Sequence, residues 1–419
     1  MDINYKKIRI KPRIKRLIKI IGRESEKLKI NSYLVGGPVR DLLLGKSNID
    51  LDIVMDKDVK IVVYKLAKIL SARCIYHSQF RTAKLFLEDL EIDMATMREE
   101  NYPSIGSLPQ VRLTSSIEKD LFRRDFTINA MAIKIDKGGL SDLIDPYHGL
   151  KDLKSKKIRV LHEKSFLDDP TRIIRAIRFS TRFGFSLEKN TRKWLKEAVS
   201  KNVFSKVSSV RIGNEIIKLL KDEKPFEGIE KIKNLCGLEI IHPKIKFCKG
   251  WGKIFSQIPG WVEIFKKETK QNIQTWLIYF IFLTESLDRE ELEKLCISYE
   301  IEKNARLCIL HSSELKNIEE SKLYNKYSDL FNILKPIFPE SIIYLIVKIN
   351  EKVIKTRLLN FLVKFCQTKL YTDGERLKEL GFIPGPIFDK ILKELFLAKL
   401  DGIVSTKEEE ENFIRNFRG

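Results

Sequence analysis

Asp50 and Asp52 stand one residue apart in the run Ile49-Asp50-Leu51-Asp52-Ile53-Val54. Alternate side chains of an extended strand share a face. The spacing therefore puts both carboxylates on one side and Ile49, Leu51 and Ile53 on the other, toward a core. Two carboxylates side by side repel each other unless a cation lies between them. Hard oxygen donors of this kind suit Mg2+ brought in with a phosphate-bearing substrate. Taken alone, a D-x-D is equally well two exposed strand residues. It is preceded by Gly36-Gly37-Pro38-Val39-Arg40-Asp41-Leu42-Leu43-Leu44-Gly45, which follows the strand-like Ser32-Tyr33-Leu34-Val35. A strand, a glycine turn and a helix start offer backbone N–H groups to an anion. Pro38 suits the first helical turn, and Arg40, one turn on, can bring a guanidinium to the same phosphates. An ordinary tight turn explains Gly36 and Gly37 by themselves. Glycine pair, arginine and D-x-D within 17 residues point together to a phosphate and a metal.

These segments resemble the signature of the class II tRNA nucleotidyltransferases and bacterial poly(A) polymerases. Three more segments match in the same order. Arg123 to Ala130, RRDFTINA, is similar to the family's ribose- and triphosphate-binding segment. Asp145 to Leu153, DPYHGLKDL, resembles its hinge, and Asp168 to Phe179, DDPTRIIRAIRF, its base-reading helix. The resemblance is strong over about the first 185 residues. It implies a mixed-sheet nucleotidyltransferase head followed by an all-α neck, body and tail, and an elongated grip on the acceptor arm and elbow of tRNA. ATP and CTP are the implied substrates. Asp50 and Asp52 would hold Mg2+, which activates a 3′-hydroxyl and stabilises the leaving oxygen. Gly36, Gly37 and Arg40 would hold phosphates, and Arg124, Asp125 and Asn129 ribose and triphosphate. Asp93, in LEIDMATMR, falls where related folds keep a third catalytic acid; an exposed strand Asp is an equal reading of it, and Arg98 shares that ambiguity. The family usually has Glu where this chain has Asp168.

Asp169 and Arg172 are three residues apart, a spacing that puts them on one face of a helix. A carboxylate accepts from the exocyclic amine of cytosine or adenine, and a guanidinium donates to the ring nitrogen beside it. Guanine and uracil present the opposite pattern. One Asp–Arg pair thus admits C and A without a nucleic-acid template. Arg175, Arg178 and Arg182 continue the stripe, toward a triphosphate. The competing reading is a helix cap: Asp followed by Pro opens many helices, and an Asp169 spent on its own backbone reads a base less well.

The elements that position these residues are legible in outline. From Ser32 to about Ile135 the texture is α/β: strands at SYLV and IDLDIVM, a helix over Val59 to Ala72, two strands around the acidic turn of KLFLEDLEIDMATM, and an apolar run from Thr127. Glu99 to Lys119 reads as a long loop with two prolines and a glycine, a length that is usually functional. In the resembled family a loop here serves addition of the final A. After about Gly138 the pattern is helical, with no repeat of fixed period. The expected divisions are a catalytic head at 1–138, a neck at 139–205, a body at 206–300 and a tRNA-binding tail at 301–419. In the tail, Gly381 to Pro386 forms a turn between helices that fits an RNA phosphate or plain packing. Trp276 and Phe280, at helical spacing, read as core.

Composition sets the bounds. The 419 residues carry 78 Lys+Arg against 57 Asp+Glu, a net charge of +21. So large a positive field on a folded chain suggests a polyanion, though it also fits general solubility. Residues 1–30, with isoleucines at 10, 14, 18 and 21, read as a basic amphipathic helix. The longest apolar run, Trp276 to Leu283, is far short of the ~20 residues needed to span a bilayer. The opening MDINYKKIRIKPRIKR has no apolar core, so a secretory signal is not expected. Six scattered cysteines, with no C-x-x-C, argue against a zinc site or disulfides and for a reducing cytoplasm. The expected function is template-independent addition of CCA, or its terminal A, to tRNA 3′ ends. The rivals are an A-adding enzyme of a split CC/A system, then a poly(A) polymerase, whose basic C-terminal extension has no counterpart in KEEEENFIRNFRG. A non-catalytic RNA-binding protein on a dead head is the last, disfavoured by intact Asp50 and Asp52.

Overall fold

A computed structural model describes residues 10–47, 49–88 and 90–417. The first nine residues of the expected basic helix lie outside this set. The chain divides into two compact units, Met1–Ser208 and Ser209–Gly419.

The first unit opens with α1 (Pro12–Lys27), started by a proline at its first turn. Ile14, Leu17, Ile18 and Ile21 recur at i, i+3, i+4 and i+7 and are all buried, each worth about 1.5–3 kcal/mol of transfer. The remaining basic side chains of α1 stay largely outside. There follow β1 (Ser32–Val35), α2 (Gly37–Leu43), β2 (Leu51–Met55), α3 (Lys60–Leu70), β3 (Arg73–His77), β4 (Thr82–Leu87) and β5 (Leu90–Thr96). Then come β6 (Arg98–Asn101), β7 (Gln110–Leu113), α4 (Ile117–Phe122), β8 (Ala132–Asp136) and β9 (Gly139–Ile144). Seven strands form one sheet in the order β3-β4-β5-β2-β1-β8-β9. All neighbours are antiparallel except β2 and β5, which run parallel with Asp52 opposite Asp93. The parallel pair arises because α3 and the β3–β4 hairpin intervene between the two strands.

Three expectations need correction here. The stretch Glu99 to Lys119 is no open loop: β6 and β7 pair as an antiparallel hairpin, with Arg98 opposite Leu113, and α4 begins at Ile117, capped by the Ser116 hydroxyl. Its charged, turn-rich composition hid a two-stranded ribbon. The head sheet also runs past residue 138, because β9 hydrogen-bonds to β8. Residues 139–205 are therefore not all helix. They continue through α5 (Gly149–Lys154), α6 (Ser165–Asp168), α7 (Thr171–Phe183) and α8 (Lys189–Ser200), with a small parallel bridge between Lys157–Ile158 and Ser186–Leu187.

The second unit is helical from Ser209–Leu220 to Lys407–Arg415. The helix Thr275–Leu283 has its residues from Trp276 to Leu283 buried, so Trp276 and Phe280 are core. At the far end Gly374–Glu379 and Pro386–Asp401 flank the expected turn and pack around Leu377, Ile391 and Leu395. No single described helix is long and apolar enough to cross a membrane; Tyr327–Leu334 and Pro339–Lys348 reach that mark only as a pair bent by 104°. All six cysteines are free.

Candidate active site

Asp52 lies on β2 with its side chain half-buried, and the register sets it beside Asp93 on β5. Asp50 is not on the strand: β2 begins one residue later, and Asp50 is exposed at its approach. The two still feel each other. Burial, then the charges of Asp93 and Asp50, push the Asp52 carboxyl up from the usual 3.8 to about 6, although Arg124 and Lys84 pull the other way. Asp93 is 55% exposed and lies 3.4 Å from Lys84 Nζ. Among the described residues no three His, Cys, Asp or Glu side chains already form a closed metal cage. An under-neutralised carboxylate beside two others is nonetheless what an oxygen-ligated divalent cation would relieve, with further ligands from a substrate's phosphates. The residues present fit such an ion.

A cleft of about 460 Å³ opens from Asp52. Seven arginines line it (Arg40, Arg123, Arg124, Arg172, Arg175, Arg178 and Arg182) against four carboxylates, Asp52, Glu100, Asp125 and Asp169. Gly36, Gly37, Tyr102, Asn129 and Phe179 complete the wall. That balance suits a polyphosphate. A second, more apolar cleft of about 390 Å³ shares Asp52, Arg123 and Arg124 with the first and runs over β3, β4 and β5 past His77, Lys84 and Asp93.

Each cationic group is held in place. Gly36 has φ +73°, where a side chain is strained, and a Cβ there would stand 2.7 Å from Arg124 Nη1. The glycine lets that guanidinium lie against the turn. Arg40, on the short α2, donates to Asn129 Oδ1 at 2.5 Å and to Asp41 at 3.1 Å, and its guanidinium sits over the rings of Phe183 and Phe179. Asn129 in turn donates to Asp125 Oδ1 at 2.9 Å, and Asp125 Oδ2 receives Arg175. Burial would raise the Asp125 carboxyl, but Arg175 and Asn129 outweigh it and hold the group low. Arg178 lies over the Phe179 ring. Arg124 Nε is buried and finds no partner among the described residues, a donor left over for an incoming oxygen.

Asp169 is not part of α7. It occupies the extended residue between α6 and α7, with φ −136°. Its Oδ1 accepts from the N–H and hydroxyl of Thr171, at 3.0 and 2.6 Å, so the capping contact exists. It lines the cleft all the same, as does Arg172. Arg172 is 5% exposed and donates to the Ser165 hydroxyl (2.8 Å), the Arg123 carbonyl (2.7 Å) and, more weakly, Tyr102 Oη (3.5 Å). Asp168 does not hold it. That carboxylate lies 3.8 Å from His162 Nε2. Burial, Arg172 and Lys164 push His162 down to about 4, so the imidazole is neutral at pH 7.

Sequence reasoning missed several residues. Glu100 gathers Arg98, Arg123 and Tyr102, and burial above all pushes the Tyr102 phenol up to about 12. Both ride on the hairpin, whose strands REEN and QVRL carry no burial alternation that would have marked an ordered surface. Arg123, beside the expected Arg124, reaches both clefts. Ser165 had no signal at all.

A parallel strand pair bearing opposed carboxylates, next to an arginine-lined cleft, has the chemistry to take a polyphosphate together with a divalent cation. Residues 32–159 match the family described as the poly A polymerase head domain, and residues 184–248 the one described as the probable RNA and SrmB-binding site of polymerase A. The chain is 30% identical over 410 residues to an A-adding tRNA nucleotidyltransferase of Halalkalibacterium halodurans, covering 96% of this chain and 92% of that one. It is 31% identical over 406 residues to an A-adding enzyme of Geobacter sulfurreducens, covering 94% of this chain but 46% of the relative. The chain thus spans about half the length of that relative. A Thermotoga maritima CCA-adding enzyme, solved in complex with tRNA, superposes with TM-score 0.70 at 30% identity over 99% of this chain and 98% of its own. The chain belongs to the class II tRNA nucleotidyltransferases, whose chemistry in general depends on divalent metal ions.

Proposed function

We propose that this protein extends the 3′ end of tRNA without a template, transferring the nucleotidyl group of ATP, or of CTP and ATP in turn, and releasing pyrophosphate. The 3′-hydroxyl oxygen bonds to the α-phosphorus as the bond to the β,γ-diphosphate breaks. The observation that carries this reading is the arginine-lined cleft ending at Asp52, where Asp93 stands opposite in register. Arg40, Arg124, Arg175 and Arg178 bind and orient the triphosphate, and Gly36 and Gly37 leave room for it. Asp125 and Asn129, tied to Arg175 and Arg40, set the ribose edge. Asp50 and Asp52 would hold Mg2+, with Asp93 beside them. When bound, that ion lowers the pKa of the attacking hydroxyl and offsets charge on the leaving oxygen. Asp169 accepts from the exocyclic amine of A or C, and Arg172, fixed by Ser165 and the Arg123 carbonyl, donates to the ring nitrogen. The basic chain binds the acceptor arm and elbow of tRNA, and works in the cytoplasm.

Addition of the terminal A alone is the version favoured by one specific observation: the A-adding relatives are 31% and 30% identical to this chain, against 27% and 23% for CCA-adding relatives of Pediococcus pentosaceus and Leuconostoc mesenteroides. Addition of full CCA is the alternative, matching the Thermotoga fold. The test uses the full chain with tRNA ending before CCA, after CC, and complete, each with labelled CTP or ATP. Label from ATP only on CC-ended tRNA supports A addition. CTP incorporation on the shortest tRNA supports CCA addition. Repeated A on complete tRNA makes it a poly(A) polymerase, and no incorporation at all overturns the proposal.

A further inference from the structure

Asp120 lines neither cleft and belongs to none of the motifs that carry the family resemblance, yet it is fully buried. It sits on α4, and four donors converge on its carboxylate. Oδ1 accepts from the Arg98 backbone N–H at 3.1 Å and from Arg123 Nε and Nη2 at 3.0 and 2.9 Å. Oδ2 accepts from Arg124 Nη2 at 3.1 Å. Burial works to raise its carboxyl, but Arg124 and Arg123 outweigh that and keep it below the usual range, so it is ionised.

What this arrangement does follows from the residues it ties. Arg124 reaches from Asp120 to the Gly36 turn, where its Nη1 occupies the space a Cβ would need. Its Nε has no partner among the described residues. It is also coupled by charge to Asp52, without a hydrogen bond to it. A guanidinium so near an under-neutralised carboxylate would ordinarily close on it as a bidentate pair. That would occupy both the phosphate donor and the metal ligand. A buried counter-carboxylate on the far end of the arginine holds it back. The same carboxylate anchors Arg98, the first residue of β6, and Arg123, whose carbonyl receives Arg172.

We infer that Asp120 is a positioning residue for the reaction: it holds Arg124 between the Gly36 turn and Asp52, open to the triphosphate and off the metal ligand. This rests on the function proposed above, so the readout is chosen to separate the two. ATP and inorganic pyrophosphate binding to the full chain are measured by calorimetry with Mg2+ present, alongside nucleotide incorporation. The variants are Asp120→Asn, Arg124→Met and the two together. Asp120→Asn should weaken ATP and pyrophosphate at least tenfold and leave tRNA affinity within twofold. Because Asp120 acts through Arg124, the double variant should match Arg124→Met within twofold. Losses that multiply in the double variant overturn the inference, as does tighter pyrophosphate binding by Asp120→Asn, which would mean the carboxylate merely repels phosphates. Should Asp120→Asn fail to fold, the double variant removes the stranded arginine charge as well, and its comparison with Arg124→Met still decides. A wild type that binds ATP but extends no tRNA defeats the proposed function and leaves this inference standing. A wild type that binds neither ATP nor pyrophosphate overturns both.

Discussion

Asp52 carries the most informative single electrostatic feature. Its folded pKa of about 6 lies above the ordinary 3.8. Between those values the folded state binds more protons than the unfolded one, so its contribution to stability falls as pH rises through that window. Asp52→Asn should therefore raise the melting temperature of the metal-free protein at pH 7 while reducing incorporation at least a hundredfold. A melt at pH 7 and pH 4.5 checks the first half, since the gain should shrink at the lower pH. Incorporation beside tRNA affinity checks the second. In the wild type, activity should fall as pH drops toward 6, because the proton competes with the cation. Asp169 offers a second test, sharpened by its bond to Thr171. Asp169→Ala should lower kcat/KM for the cognate nucleotide roughly 10- to 100-fold and narrow the margin over GTP and UTP. It should also cost about 1 kcal/mol of stability through the lost cap. A melting shift with the nucleotide ranking unchanged would leave Asp169 as a cap only.

At the scale of elements, the β6–β7 hairpin is the part whose role the fold redefines. Its tip is docked: the Gly106 N–H donates to the Leu167 carbonyl at 3.0 Å, two residues from Asp169. Gly106 has φ +70°, and a Cβ there would meet the Lys206 carbonyl oxygen at 2.8 Å. Backbone cannot yield as a side-chain end can. Gly106→Val should cost about 1–3 kcal/mol, and detach the tip from α6. The expectation is a lower melting temperature with a raised ATP KM, while Mg2+-dependent pyrophosphate binding stays within twofold. Unchanged nucleotide kinetics in a destabilised variant would mean that the hairpin does not brace the nucleotide site.

For the whole molecule, the net charge of +21 should appear as counterion release. tRNA affinity should drop at least tenfold between about 50 and 200 mM salt, with a linear log–log slope set by the number of phosphates contacted. A flat titration followed by filter binding would make the charge a matter of solubility. ATP binding, which engages only the few phosphates of one nucleotide, should respond far less steeply.

The sequence by itself determined the elements whose signals are local. The strand at Leu51-Asp52-Ile53, though not its extension to Asp50, the glycine turn at Gly36-Gly37 and the isoleucine stripe of α1 each follow from local backbone geometry that the side chains must match. Most of the residues that line the arginine-rich cleft were legible for the same reason, as short motifs within one element or one turn. Only the tertiary structure decided what crosses between elements. That Asp93 stands opposite Asp52 depends on a parallel register between strands forty residues apart in the chain, and no local preference encodes it. That Glu100 and Tyr102 belong to the arginine-lined cleft required β6 and β7 to pair, a non-local contact whose charged residues carry no hydrophobic period. That Asp120 matters at all was invisible along the chain. A buried carboxylate reads like any surface aspartate until the fold removes water from it and leaves arginine as its solvent.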